Sequence, residues 1–242
     1  PTYLAARIAA FYERSGCVEC LGGAGDGSDR RRGSLTIVGA VSPPGGDYSE
    51  PVTQTSLRVA GALWALDATL AYRRHYPAVN WNRSYTLYLK ELQAWFSEHA
   101  PSGWMSLYQQ LVSLLQRDAE LQEVVQLVGP DALQDAERLV LECARLVREV
   151  FLQQNAFSEV DASCSLAKSA GLLEALLGFY ESCNTAIAQG VSLADVSHLS
   201  AREDIARLRD IPEEGFGAAQ QDVVQKMRDQ IAVLTAEKDN GT

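Results

Sequence analysis

The chain has 242 residues, 47% hydrophobic and 21% charged, enough to give one large domain or two modest ones a buried core. With 31 acidic against 21 basic side chains and a formal net charge of −10, it lacks the basic surface of a non-specific nucleic-acid binder and suits a basic protein partner. No apolar run reaches membrane-spanning length, no signal peptide is expected, and five cysteines in a chain of this size fit reduced thiols in a cytoplasmic setting.

A start at Pro1, without an initiator Met, is expected of a processed, trimmed or partial polypeptide. Tyr3, Leu4, Ile8, Phe11 and Tyr12 recur at helical spacing, so residues 3–14 read as the end of an amphipathic helix. Cys17 to Leu21 is a short strand candidate, and the Gly-rich run from Gly22 to Gly33 a polar loop. The β-branched run Leu35 to Val41 is the clearest strand, expected to be buried. It feeds Pro43-Pro44-Gly45-Gly46-Asp47, a stiffened loop whose acidic tip is Asp47 and Glu50. Leu57 to Leu66 is apolar and ambiguous, with Gly61 to Leu66 fitting a short buried strand. Asp67 is placed to cap a helix from Ala68 to His75, which Tyr76-Pro77 stops.

From about Ser84 the pattern changes to a period of 3.6. Helices are expected over 84–98, 103–128, 131–153, 164–189 and 216–238, with a short one over 201–209. The run Leu133, Ala136, Leu139, Val140, Cys143, Leu146, Val147, Val150 is strongly amphipathic, and Asp131 is placed at its N-terminal end. Strands early and helices late give an α/β piece followed by an all-α piece, divided near Glu98–Pro101.

Few residues suggest chemistry by themselves. A phosphate-holding loop needs Gly-x-x-x-x-Gly-Lys-Ser/Thr, and none of Lys90, Lys168, Lys226 and Lys238 follows a glycine. The Gly22–Gly33 loop therefore reads as a hairpin tip. Cys17-Val18-Glu19-Cys20 is an isolated pair; Cys143, Cys164, Cys183, His75, His99 and His198 are too scattered to complete a zinc site. No metal ligand set and no catalytic residue is expected. Arg30-Arg31-Arg32 reads as a solvated loop patch. Arg73-Arg74 could brace a pocket or pair with a neighbouring subunit.

Four blocks in order carry a resemblance: Ile37-Val-Gly-Ala-Val-Ser-Pro-Pro-Gly-Gly-Asp-Tyr-Ser-Glu-Pro-Val-Thr-Gln54, Trp64 to Trp81, Val125 to Gly129, and Phe151-Leu-Gln-Gln-Asn-Ala-Phe157. Together they resemble the catalytic A subunit of vacuolar and archaeal-type rotary ATPases. Pro1 to Gly16 is similar to the segment just before the first block. The non-catalytic partner subunit differs at Ser42 to Asp47. The resemblance covers only the C-terminal portion; the family's β-barrel, inserted domain, P-loop, catalytic glutamate and Walker B aspartate all lie upstream.

The resemblance implies that residues 1–97 are the last part of a RecA-like P-loop NTPase domain, with the P-loop half absent, and that 98–242 form a helical-bundle domain. It places Tyr76 and Pro77 on one side of an adenine pocket and Gln153, Gln154, Asn155, Ala156 and Phe157 on the other. Read without it, Tyr76 is an ordinary aromatic at a helix end, and the polar run before Phe157 a helix cap. Pro43, Pro44, Gly45, Gly46, Asp47 and Glu50 resemble the loop facing the central stalk; a solvated loop with a structural Pro-Pro bend is the alternative. The implied setting is a complex with non-catalytic B subunits and central-stalk subunits, cytoplasmic and peripheral to the membrane. There, ATP or ADP with Mg2+ turns over as protons or sodium ions move.

This chain alone is expected to be inactive and to bind ATP weakly: one stacked base contributes about 1–3 kcal/mol, and millimolar affinity needs about 4 kcal/mol. Residues 1–97 are expected to be the less stable part, because the strands would lack their covering half. The other readings are a non-enzymatic helical interaction protein of the same ancestry and one half of a split catalytic subunit.

Overall fold

The computed structural model describes residues 3–20 and 31–240, with side chains through Lys238. Two compact units form, residues 1–64 with 84–89 and residues 65–83 with 90–242. Among the described residues no helix is long and apolar enough to cross a membrane.

The first unit contains α1 (Leu4–Tyr12), β1 (Gly16–Glu19), β2 (Arg32–Leu35), a 3-10 turn (Pro44–Gly46), α2 (Pro51–Val59), β3 (Ala62–Leu63) and β4 (Tyr85–Thr86). β1 and β2 pair antiparallel from Gly16 opposite Leu35 to Glu19 opposite Arg32, and β3 pairs with β4. Leu21 and most of the Gly-rich loop, with Arg30, lie outside the described residues.

The buried strand expected over Leu35 to Val41 is not found. Only Leu35 belongs to a ladder; residues 36–41 have no strand partner among the described residues, and Val38 is 78% exposed. β-propensity reflects packing on a pleated surface rather than an intrinsic backbone preference. Without neighbouring strands, the run stays open. The acidic loop is therefore delivered by an exposed extended segment. Part of the ambiguous stretch that follows is helical, because Glu50 caps α2 and Pro51 occupies its first turn.

Thr53 and Ser56 are the only side chains of this unit buried among the described residues. Hydrogen exchange is expected to be fast through residues 3–20 and 31–64 and slow through the helices of the second unit. Uniformly slow exchange across both would contradict this.

The second unit holds α3 (Ala68–Tyr72), nearly all of α4 (Leu89–His99), α5 (Trp104–Val128), α6 (Asp135–Val147), α7 (Leu166–Ala188), α8 (Leu193–Ser197), α9 (Ala201–Arg207) and α10 (Glu213–Asn240). α4 starts later than its periodicity suggests, because Tyr85 and Thr86 are taken by β4. The amphipathic stretch 131–153 is three elements: a 3-10 turn (Pro130–Ala132), α6, and a π-helical turn (Arg148–Leu152). Asp131 thus lies in the 3-10 turn, outside α6. At the start of α6, Glu137 accepts from the Gln134 N–H at 3.2 Å, and the Asp135 carboxylate reaches the Leu193 N–H at 3.0 Å.

α7 is apolar around most of its surface because α5, α6 and α10 pack against it. Its Leu173, Leu176 and Phe179 meet Leu139 and Val147 of α6, Leu115 and Leu121 of α5, and Phe216 and Met227 of α10 in one buried cluster. The same burial pushes the Cys143 thiol far up and the Cys183 thiol up to about 12, so both are unreactive.

Gly171 lets α7 approach α10. A Cβ there would lie 2.6 Å from the ring of Phe216, which is 6% exposed. Gly171→Ala is expected to cost about 1–3 kcal/mol through overpacking. A lower urea midpoint at unchanged slope would register it, and an unchanged midpoint would contradict it.

Candidate functional site

Residues 65–80 are tied at both ends. Asp67 caps α3, accepting from the Thr69 N–H at 2.8 Å, and its other oxygen accepts from the Asn80 amide at 2.8 Å. These bonds, the Asn80 amide first, hold its carboxyl below the usual range. The Asn80 N–H closes the loop on the Ala65 carbonyl at 2.8 Å. Just past the end of α3, Arg74 takes the left-handed region with φ 58°, and the His75 N–H returns to the Leu70 carbonyl at 2.9 Å. The Tyr76–Pro77 bond is cis, and Tyr76 is 54% exposed.

The second segment emerges from the π-helical turn. The Gln153 N–H donates to the Arg148 carbonyl at 2.9 Å, and the Gln154 N–H donates to the Tyr76 carbonyl at 2.7 Å. That last bond brings the two sequence-predicted segments together. Asn155 Oδ1 accepts from the Phe157 N–H at 3.0 Å, turning the backbone so that the Phe157 ring is 99% exposed. Gln154, Asn155 and Ala156 are exposed and Gln153 half-buried. Pro77 and Gln154 line a cavity of about 250 Å³ together with Phe151, Leu152, Leu172, Asp161 and Arg209. Two presented rings and a few free amides can stack on and hydrogen-bond a planar base.

His75 directly precedes Tyr76 and is half-buried. Its ring is 5.6 Å from that of Trp81, and its buried Nε2 has no hydrogen-bond partner among the described residues. Burial first, then the charge of Arg148, push its pKa below the ordinary 6.5. The folded chain therefore resists protonating His75 more than the unfolded chain does. Its contribution to stability is present above about pH 6.5 and is lost as pH falls through the depressed folded value. The urea midpoint is expected to fall more between pH 7.5 and 5.5 in the wild type than in His75→Gln; identical falls would contradict this.

The loop from Pro43 to Glu50, in the first unit, is braced. Gly45 and Gly46 both take left-handed conformations, φ 64° and 74°, which other residues adopt only with strain. Asp47 is exposed and accepts from the Ser49 N–H at 2.8 Å, and Ser49 lowers its pKa. Glu50 is committed to α2, accepting from the Thr53 N–H at 2.9 Å and its hydroxyl at 3.0 Å. The helix N–H groups, Val52 first, hold its carboxyl low. Of the two acids, Asp47 is the one free to meet a partner.

Four residues around residues 153–157 escape the sequence pattern: Asp118, Arg148, Asp161 and Arg209. Asp118 carries a signal in retrospect, an acid on the face of α5 that also buries Leu114, Leu115 and Leu121. The other three carry no local signal. Among the described residues no cluster of His, Cys, Asp and Glu is arranged to hold a metal ion.

Two family models match: the nucleotide-binding domain of the ATP synthase alpha/beta family over residues 1–86, and the C-terminal domain of V and A type ATP synthase over residues 93–196. The chain is 49% identical over 237 residues to the A subunit of the A-type ATP synthase of Methanopyrus kandleri, covering 98% of this chain and 39% of that protein. It is 47% identical over 238 residues to the V-type ATP synthase alpha chain of Acetivibrio thermocellus, covering 98% of this chain and 40% of that one. The chain thus spans about two fifths of the length of the curated relatives it matches. A solved structure of an ATP synthase subunit, NeqB from Nanoarcheaum equitans, shares the fold with a TM-score of 0.58 at 21% identity, covering 74% of this chain and 40% of that one.

Proposed function

The chain belongs to the family of catalytic A subunits of A-type and V-type ATP synthases, and from that premise we propose that it supplies the base-binding and stalk-facing parts of such a subunit. Tyr76 and Pro77 form one wall for the adenine, and Gln153 to Phe157 the other. The observation that carries this reading is the 2.7 Å bond from the Gln154 N–H to the Tyr76 carbonyl, which joins two segments far apart in sequence. Residues 1–97 act as the end of the nucleotide-binding domain, and 98–242 as the helical domain that relays motion.

In the assembled complex, ATP or ADP with Mg2+ occupies the site. The phosphates are held by groups outside these 242 residues, which contain no Gly-x-x-x-x-Gly-Lys-Ser/Thr. Pro43 to Asp47 meets the central stalk, where an ionised, exposed Asp47 suits a basic turning surface. Non-catalytic B subunits flank the catalytic one. The complex works at the cytoplasmic side of a membrane and couples ATP turnover to proton or sodium movement.

Calorimetry on the isolated chain tests the division of labour. ATP is expected to bind no tighter than millimolar, since stacking alone contributes about 1–3 kcal/mol. Micromolar affinity would overturn it.

A further inference from the structure

The base-facing segment is poorly backed by packing. Gln154 and Pro77 line the cavity of about 250 Å³ together with Asp161 and Arg209, so this backbone is not fixed by side-chain contacts as in a filled core. Two charged side chains do so instead. Arg209, from the 3-10 turn after α9, donates through Nη1 to the Glu149 carbonyl at 2.8 Å and the Gln153 carbonyl at 3.3 Å. These are terminal carbonyls with no onward helical partner. Asp161 accepts from the Asn155 N–H at 2.6 Å, and the same oxygen is 3.9 Å from Arg209 Nε. Its side chain is only 10% exposed and that of Arg209 28%. Lys168, 2% exposed, donates from Nζ to the Arg209 carbonyl at 3.0 Å and fixes that turn to α7.

We propose that Arg209 and Asp161 are a positioning pair that clamps residues 153–157 from beneath and thereby sets how Asn155 and Phe157 are presented to the nucleotide base. The inference rests on the base-pocket reading above for its ligand, but not for the clamp itself. Arg209 holds the carbonyls on the entering side of the segment, and Asp161 holds the N–H in its middle. Neither side chain needs to touch the base.

The test uses the whole 242-residue chain with Asp161→Ala and the conservative Asp161→Asn, followed by backbone amide exchange and by adenosine titration in NMR spectra. In Asp161→Ala the Asn155 amide is expected to exchange about tenfold faster, the size of losing a hydrogen bond to a charged acceptor. The adenosine response at Phe157 should weaken by a similar factor while exchange in α7 and α10 holds. Asp161→Asn keeps an acceptor for Asn155 and should restore most of both. Arg209→Gln should likewise weaken the adenosine response. A general loss of stability would instead speed exchange throughout the helices and would not separate the alanine from the asparagine variant. Asn155 exchange and adenosine affinity both within about twofold of wild type in Asp161→Ala would overturn the clamp. If wild type shows no adenosine response at Tyr76 or Phe157, the base-pocket reading fails, and the Asn155 amide still decides whether the clamp exists.

Discussion

Replacing Arg148 with methionine is expected to destabilise the helical unit by about 3 kcal/mol, toward the lower end of the range for breaking a buried ion pair. Arg148 Nη1 is 2.5 Å from Asp118 Oδ2, with the two side chains 22% and 7% exposed. The second Asp118 oxygen has no hydrogen-bond partner among the described residues. Removing the guanidinium would strand a carboxylate among the leucines of α5, and desolvation makes that state costly. The cost belongs to the orphaned charge rather than to the pair. The double change Asp118→Leu with Arg148→Met is therefore expected to recover most of the loss. Urea denaturation of the single and double variants would measure this. A single-variant loss under about 1 kcal/mol, as for an exposed pair, would contradict it. Arg148 also opens the turn that leads to Gln153, and its charge helps to lower the His75 pKa. The single variant should therefore also raise the His75 pKa.

Tyr76→Ala is expected to weaken adenosine binding by about 1–3 kcal/mol, roughly 5- to 150-fold, while Tyr76→Phe leaves it nearly unchanged. In the proposed pocket the ring supplies the stacking face, and its hydroxyl donates to no acceptor among the described residues. Because Tyr76 is 54% exposed, stability should change little, within about 0.5 kcal/mol. Loss of binding without loss of fold separates a ligand-facing ring from an ordinary aromatic at a helix end. An alanine variant that binds as the wild type does would return Tyr76 to the latter role.

Much of the helical part is legible in the sequence because its periodicity is enforced by burial. α5, α7 and α10 lie where the spacing of apolar residues puts them, and the Asp67 cap is where the chemistry of helix ends requires it. The failures have physical causes. Ile37 and Val38 carry strong strand propensity, but a strand is made by its neighbours, and the run remains open. α2 is signalled by Glu50-Pro51 yet hidden by the turn residues before it. α8 is too short for a period to register. Tyr76 and Phe157 could be singled out only by resemblance: exposed, they obey no packing pattern. Arg209 lies in a 3-10 turn and Asp161 in a loop far from it along the chain, and only the fold brings them together.

The proposed base surface, in a chain with no Gly-x-x-x-x-Gly-Lys-Ser/Thr loop, has a direct consequence for affinity. NMR titration of the 242-residue chain with adenosine and, separately, with ATP and Mg2+ measures it. The expected result is that both ligands shift Tyr76 and Phe157 with the same dissociation constant, no tighter than millimolar, because the triphosphate gains nothing here. ATP binding about a hundredfold tighter than adenosine, or shifts that avoid both rings, would contradict it.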